Sequence, residues 1–184
     1  MNFYIADTHF FHKNIVKYCN RPFADVEEMN ETLVANWNRK VRERDSVYIL
    51  GDFAFCSGEM ANELLDRLNG KKYLIRGNHD SFLGYSAFET SKFEWIKDYA
   101  KISDHNRTIV LFHYPIASWE KKHHGAIHLH GHTHNGEKPL VEGLIYNVGV
   151  DVTDFKPITM KEILKEFEKM GMMMQTDVQI ISEN

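Results

Sequence analysis

The chain has 184 residues, of which 43% are hydrophobic and 26% charged, a composition typical of a globular protein. Its 22 basic and 26 acidic residues give a formal charge of −4, which argues against a broadly basic surface that coats nucleic acid. No apolar run approaches the ~20 residues needed to span a membrane. The two cysteines lie outside any CxxC pattern, so we expect reduced thiols in a cytoplasmic protein with one domain over residues 1–184.

The first half of the chain alternates short apolar runs with amphipathic segments. The apolar runs predict strands at Asn2–Ala6, Ser46–Leu50 and Lys72–Arg76. Helical spacing of apolar residues predicts one helix starting at Asp25, which can serve as N-cap, and another over Glu59–Leu68. This βαβαβ order predicts a parallel sheet covered by helices.

The second half predicts a hairpin, two further strands and a closing helix. In chain order these are Tyr99–Ile102, Thr108–His113, Ala126–His130, Leu144–Val148 and Thr159–Met170. Together the two halves predict an α/β fold in which a β-sandwich core of mixed sheets is flanked by helices. The sequence leaves open whether Thr176–Asn184 forms an edge strand or frays.

Polar side chains that can bind metals follow the predicted strands where those strands end. They are Asp7, His9, Asp52, Asn78, His79, His113, His132 and His134. Loops beyond the carboxyl ends of strands form the ligand crevice of open α/β sheets. A single Asp after a strand is more often a turn or cap residue. Because these motifs occur together at strand ends, we predict a metal site.

The same residues form an ordered set of motifs that resembles the calcineurin-like metallophosphoesterase superfamily. The motifs are Asp7-Thr8-His9, Gly51-Asp52, Gly77-Asn78-His79-Asp80, His113 and Gly131-His132-Thr133-His134. The resemblance implies a four-layer α/β/β/α fold and a small, uncapped member of bacterial or phage type. The sequence departs from many relatives at Asn147–Asp151, and the run Phe53–Cys56 lacks an acidic residue that often occurs in protein phosphatases.

The resemblance also implies a role for each motif residue around two metal ions. Asp7, His9 and His134 would hold the first ion, and Asn78, His113 and His132 the second. Asp52 would bridge both ions, and His79 would face the substrate as the catalytic acid.

The predicted ligands favour certain metals and a certain reaction. Two carboxylates, one amide and four imidazoles around two divalent ions leave a positive charge that attracts phosphate. A nitrogen and oxygen set without thiolate suits Mn²⁺, our preferred ion, with Fe, Zn, Co and Ni as alternatives. Such a pair of ions activates a bridging hydroxide that attacks phosphorus, while His79 protonates the leaving group. We therefore expect a binuclear hydrolase acting on phosphate monoesters or diesters.

Two further residues are candidates for binding substrate. His12 can face the same crevice or lie at the surface, and Arg21 can clamp a phosphate or form a structural ion pair. The absence of a long insertion between the motifs predicts an open site for a small ester, including nucleotides. Two alternatives are a nuclease on longer nucleic acid and a catalytically silent interaction scaffold. The oligomeric state stays open.

Overall fold

Two mixed β-sheets form the centre of the structure, a computed structural model that describes residues 1–134 and 141–172. The strands are β1 (Asn2–Ile5), β2 (Ser46–Ile49), β3 (Lys71–Ile75), β4 (Trp95–Lys97), β5 (Tyr99–Asp104), β6 (Arg107–Phe112), β7 (Ile127–His130), β8 (Ile145–Asn147) and β9 (Ile158–Thr159). The helices are α1 (Ile15–Tyr18), α2 (Val26–Lys40), α3 (Gly58–Arg67) and α4 (Met160–Lys169).

The first sheet has the strand order β4-β3-β2-β1-β9. Strands β1 to β4 are parallel, and β9 pairs with β1 in the antiparallel direction. The register pairs Asn2 with Ser46 and Ser46 with Lys71, so the carboxyl ends of β1, β2 and β3 align at one edge. This edge carries the loops that contain the first three predicted motifs.

The second sheet has the order β5-β6-β7-β8, with an antiparallel hairpin followed by parallel neighbours. A short bridge connects it to the first sheet beyond the end of β1. The backbone N–H of Ala6 donates to the carbonyl of Val148 at 3.0 Å, and the N–H of Val150 donates to the carbonyl of Ala6 at 3.0 Å. The bridge brings the ends of β1 and β8 together.

Apolar packing holds the layers in place. On the outer face of the first sheet, α2 and α3 contribute buried residues such as Trp37 and Leu64 to the core. Between the sheets, Leu50 and Leu129 pack in a second cluster that also contains Phe167 of α4. On the far face of the second sheet, Trp119 packs in a small separate cluster, next to a 3-10 turn at Lys122–His124.

The structure confirms the predicted α/β sandwich of two mixed sheets with flanking helices. Asp25 caps α2 as expected, because its carboxylate accepts the N–H of Glu28 at 2.8 Å. Strands β4 and β9 were not predicted, since three and two residues are too short to show a period. The segment Thr176–Asn184 lies outside the described residues. Within the described ranges, no helix is both long and apolar enough to cross a membrane.

Candidate metal centre

The loops at the aligned strand ends bring seven predicted ligands into two neighbouring groups. Nitrogen and oxygen atoms within 4.8 Å of one another define one group as Asp7, His9 and His134, and the other as Asp52, His113 and His132. The side-chain oxygen of Asn78 joins the second group, 3.0 Å from Nε2 of His113 and 3.1 Å from Nδ1 of His132.

Four of these residues have a left-handed backbone, which turns the chain sharply as each strand ends. The φ angles are 56° at Asp7, 49° at His9, 53° at Asp52 and 70° at His132. Non-glycine residues rarely adopt this region, and they persist in it where the surrounding structure fixes them. The backbone therefore aims the ligand side chains into the space between the loops.

Asp52 lies between the two groups. Its Oδ2 is 3.5 Å from Nε2 of His9 and 3.6 Å from Nε2 of His113, and all three side chains are buried. Its Oδ1 accepts the backbone N–H of His79 at 2.8 Å. One carboxylate oxygen thus faces an imidazole from each group, as a bridging ligand would.

His113 shows why a cation fits between these atoms. Its Nδ1 lies 2.7 Å from the carbonyl oxygen of Leu50, so this nitrogen carries the proton. Burial lowers the pKa of His113 and keeps the imidazole neutral. Nε2 consequently presents a lone pair toward the oxygens of Asn78 and Asp52. Three facing lone pairs repel one another unless a positive ion lies among them.

The first ligand group also contains an arrangement that would favour a bound cation. Burial raises the pKa of Asp7 to about 7 and lowers the pKa of His9 to about 2. The Nε2 of His9 is buried and makes no hydrogen bond within the described part of the chain, although unsatisfied buried polar atoms are rare. Both carboxylate oxygens of Asp7 lie 3.0 Å from the backbone N–H of His132. An ion at this position would satisfy the free nitrogen and keep Asp7 ionised.

Asp80 joins the loops that follow β2 and β3. Its carboxylate accepts three backbone N–H groups, from Asp52 at 3.1 Å, Phe53 at 2.7 Å and Gly77 at 2.7 Å. Burial raises its pKa to about 6. Asp80 thus fixes the backbone at Asp52 relative to the backbone that precedes Asn78.

Comparison with known proteins agrees with this geometry. The sequence model of the calcineurin-like phosphoesterases matches residues 3–93. The protein MJ1445 of Methanocaldococcus jannaschii is 41% identical over 172 residues, which cover 90% of each chain. The chain belongs to the calcineurin-like phosphoesterase family.

Two other proteins are similar to this chain, one in sequence and one also in fold. The gene 66 protein of Mycobacterium phage L5 is 27% identical over 162 residues, covering 72% of this calcineurin-like phosphoesterase and 76% of the phage protein. The crystal structure of AQ665 from Aquifex aeolicus is 27% identical with a TM-score of 0.71, covering 90% of this chain and 98% of that one.

The predicted catalytic and substrate-binding histidines lie beside the two ligand groups of this calcineurin-like phosphoesterase. His79 is exposed, and its ring centroid is 5.5 Å from that of His9. The ring of His12 is also 5.5 Å from His9 and 4.9 Å from Phe55, which is half-exposed. Both histidines therefore border the space that the ligands surround.

Arg21 does not lie where a phosphate clamp would need to be. Its side chain is fully buried beneath the site, and hydrogen bonds occupy all five of its N–H donors. The acceptors are both carboxylate oxygens of Asp151, the carbonyls of Asp7 and Thr8, and the sulfur of Met29. The guanidinium has no donor left for a substrate, so of the two roles considered for Arg21 the structure shows the structural ion pair.

Asp151 is a site residue that the sequence reasoning missed. Its Oδ2 lies 2.8 Å from Nδ1 of His134, and its two oxygens accept Nε and Nη2 of Arg21 at 2.8 and 2.9 Å. Burial acts to raise the pKa of Asp151, but the bonds from His134 and Arg21 outweigh it and lower that pKa. Its position shortly after a predicted strand, like the other motif residues, was the signal that could have identified it.

Proposed function

We propose that this chain hydrolyses phosphate esters with two divalent metal ions. The first ion would be held by Asp7, His9 and His134, the second by Asn78, His113 and His132, and both by Asp52. The observation that carries the proposal is the position of Asp52, whose Oδ2 faces a neutral, buried imidazole of each group at 3.5 and 3.6 Å. Two such ions supply a water of lowered pKa and bind the phosphoryl oxygens.

The donor atoms support the choice of metal. Imidazole nitrogens and carboxylate or amide oxygens favour Mn, Fe, Zn, Co or Ni, and we propose Mn²⁺. Cys19 lies near His134 and Asp151, but burial raises its pKa to about 11. In the metal-free protein the sulfur therefore stays a thiol near neutral pH.

His79 is proposed as the acid that protonates the leaving group. Its backbone N–H donates to Oδ1 of Asp52 at 2.8 Å, which fixes the residue relative to the proposed bridging ligand. Its exposed ring lies beside that of His9 without joining either ligand group. A histidine near the reacting atoms with no ligand duty is suited to proton transfer.

The substrate is proposed to be a small phosphate ester, with nucleotides among the candidates. Its organic part would lie over His12 and Phe55, whose rings are 4.9 Å apart next to His9. Phe55 is 50% exposed and Tyr18, whose ring is 6.3 Å from His12, is 73% exposed. Aromatic faces of this kind can stack on a planar group of the ester.

The test is a screen of metal-reconstituted protein against phosphate monoesters, diesters and cyclic esters. Elemental analysis of the same samples gives the number of ions per chain. We expect turnover that requires two ions, disappears with a chelator and returns with Mn²⁺. Two bound ions without turnover of any ester would contradict the proposal and favour an interaction scaffold.

A parallel assay separates a small-ester hydrolase from a nuclease. Short diesters and long single strands are compared over a series of salt concentrations. A nuclease that tracks the backbone loses activity on long strands steeply as salt rises. We expect the short diesters to be the better substrates, with little salt dependence.

A further inference from the structure

We propose that Arg21 and Asp151 are positioning residues that hold Asp7, His9 and His134 as one preformed half of the metal centre. The inference rests on the proposed function, because it concerns how that function's ligands are held. It predicts that the two ions depend unequally on this buried pair.

The guanidinium of Arg21 fixes the backbone of the loop after β1. It donates to the carbonyl of Asp7 at 2.7 Å and to the carbonyl of Thr8 at 2.9 Å. These two carbonyls belong to the segment in which Asp7 and His9 have left-handed φ angles. Charge-assisted bonds in a buried place are strong, so they can hold a backbone that would otherwise relax.

Asp151 connects Arg21 to His134, because its carboxylate contacts both side chains. It is held at two points by Arg21 and is 3% exposed at its side chain. Its contact with Nδ1 of His134 fixes the proton on that nitrogen and leaves Nε2 available for an ion. Residues 7–9, 21, 134 and 151 are thus joined through one guanidinium and one carboxylate.

Different contacts orient the rings of the other half of the centre, and the backbone N–H of His132 is its one link to the carboxylate of Asp7 among those described above. The carbonyl of Leu50 orients His113, and the ring of Tyr114 packs at 4.6 Å against that of His132. The hydrogen bonds of Arg21 go to Asp7, Thr8, Met29 and Asp151, and none goes to this half within the described chain. Loss of the pair should therefore affect the ion at Asp7, His9 and His134 far more than the other.

A stabilising role alone is a weak reason to bury this pair. Replacing both partners of a buried ion pair with apolar groups of similar size is often neutral or stabilising. Removing one partner leaves an unpaired buried charge and is strongly destabilising. The double replacement Arg21→Met with Asp151→Leu is therefore the informative variant, because it removes both charges together.

The control is a double replacement at a surface pair with the same two-point geometry. Arg76 donates Nε and Nη2 to the two oxygens of Asp98 at 2.8 and 2.9 Å, and both side chains are at least half-exposed. The matched control is Arg76→Met with Asp98→Leu. Each protein is loaded with Mn²⁺, and ions per chain, Mn²⁺ affinity and the low-temperature EPR spectrum are measured. Thermal unfolding of the metal-free forms reports whether each variant folds.

We expect wild type and control to hold two ions with the EPR signal of a coupled pair. The Arg21/Asp151 variant should hold one ion tightly, with an isolated-ion signal, and bind the other about 10- to 100-fold more weakly. If that variant does not fold, the more conservative double replacement Arg21→Gln with Asp151→Asn, which also removes both charges, is measured in the same way, with the same expectation.

A coupled pair of unchanged affinity in these variants would overturn the inference. Equal weakening of both ions in a folded variant would also overturn it. Failure of the proposed function is a distinct result, because wild type itself would then bind no ion pair or would bind two ions and hydrolyse no ester.

Discussion

Gly77 lies so close to Asp52 that no side chain fits between them. A β-carbon at position 77 would be 2.2 Å from Oδ1 of Asp52 and 2.4 Å from its backbone nitrogen. The close approach allows the loop after β3 to place Asn78 beside the proposed bridging ligand. Glycine is therefore required at this position because Asp52 approaches so closely, and not because a turn needs a positive φ angle.

Gly77→Ala should destabilise the protein and disrupt the metal centre. The added methyl group must displace backbone or the Asp52 carboxylate, and such overpacking costs about 1–3 kcal/mol. Gly84→Ala is the control, because a β-carbon there meets no atom of the described chain within 4 Å. Chemical denaturation and metal content test both variants. Normal metal content in Gly77→Ala would show that the loops tolerate more separation than the structure indicates.

Asp52→Asn should remove both bound ions and turnover. The amide keeps the size of the side chain but loses the charge that faces His9 and His113 at 3.5 and 3.6 Å. Elemental analysis and the rate on the best ester from the screen are the measurements. A variant with two ions per chain and a near-normal rate would exclude Asp52 as the bridge.

His79→Ala should slow the hydrolysis of an ester more strongly when its leaving group is poorer. General-acid assistance contributes about 10²- to 10⁴-fold to the rate of a poor leaving group. An ester with an alkoxide leaving group should lose activity by about that factor, and a nitrophenyl ester much less. Metal content should stay unchanged, since His79 belongs to neither ligand group. Equal losses on both esters would instead indicate stabilisation of phosphoryl charge.

In the metal-free protein, the contribution of Asp7 to stability should fall as the pH rises from about 4 to about 7. Burial raises the pKa of Asp7 from 3.8 to about 7, so the folded chain keeps a proton that the unfolded chain has released. Stability falls with pH wherever the folded state binds more protons. Asp7→Asn should remove this contribution. The stability of the metal-free variant relative to metal-free wild type should therefore be higher at about pH 8 than at about pH 4.

Denaturant titrations of both proteins at the two pH values test this expectation. Burial also raises the pKa of Asp80 to about 6, so the difference between wild type and variant is the quantity to compare. Bound metal should reverse the sign of the Asp7 contribution in wild type, because the ionised carboxylate is then a ligand. An equal pH dependence of the two metal-free proteins would contradict the prediction.

The sequence was sufficient to predict the strands that position the site. Apolar runs such as Ser46–Leu50 match β2 to within one residue, because local periodicity determines them. Because the carboxyl ends of these strands align, Asp7 and Asp52 were expected to lie close together. In the structure, the ligand group of Asp7 lies beside the ligand group of Asp52. These inferences needed only the order of elements and the usual edge of a parallel sheet.

The sequence could not predict the contacts that hold the ligands. Asp151 is 130 residues from Arg21, and no local pattern indicates which carboxylate a buried guanidinium will meet. The same limit applies to Asp80, because its place in the motif does not indicate which backbone groups its carboxylate will contact. In the structure it accepts backbone N–H groups from two loops.

The left-handed backbone at Asp7, His9, Asp52 and His132 sets the proposed metal site and fold stability against each other. Each such residue opposes folding by about 1–3 kcal/mol, an expense that glycine would avoid. Selection for heat resistance alone would therefore favour glycine at positions that are proposed to bind metal. Proteins evolved in the laboratory for stability alone should therefore accumulate glycine at these four positions and lose the ability to bind metal there.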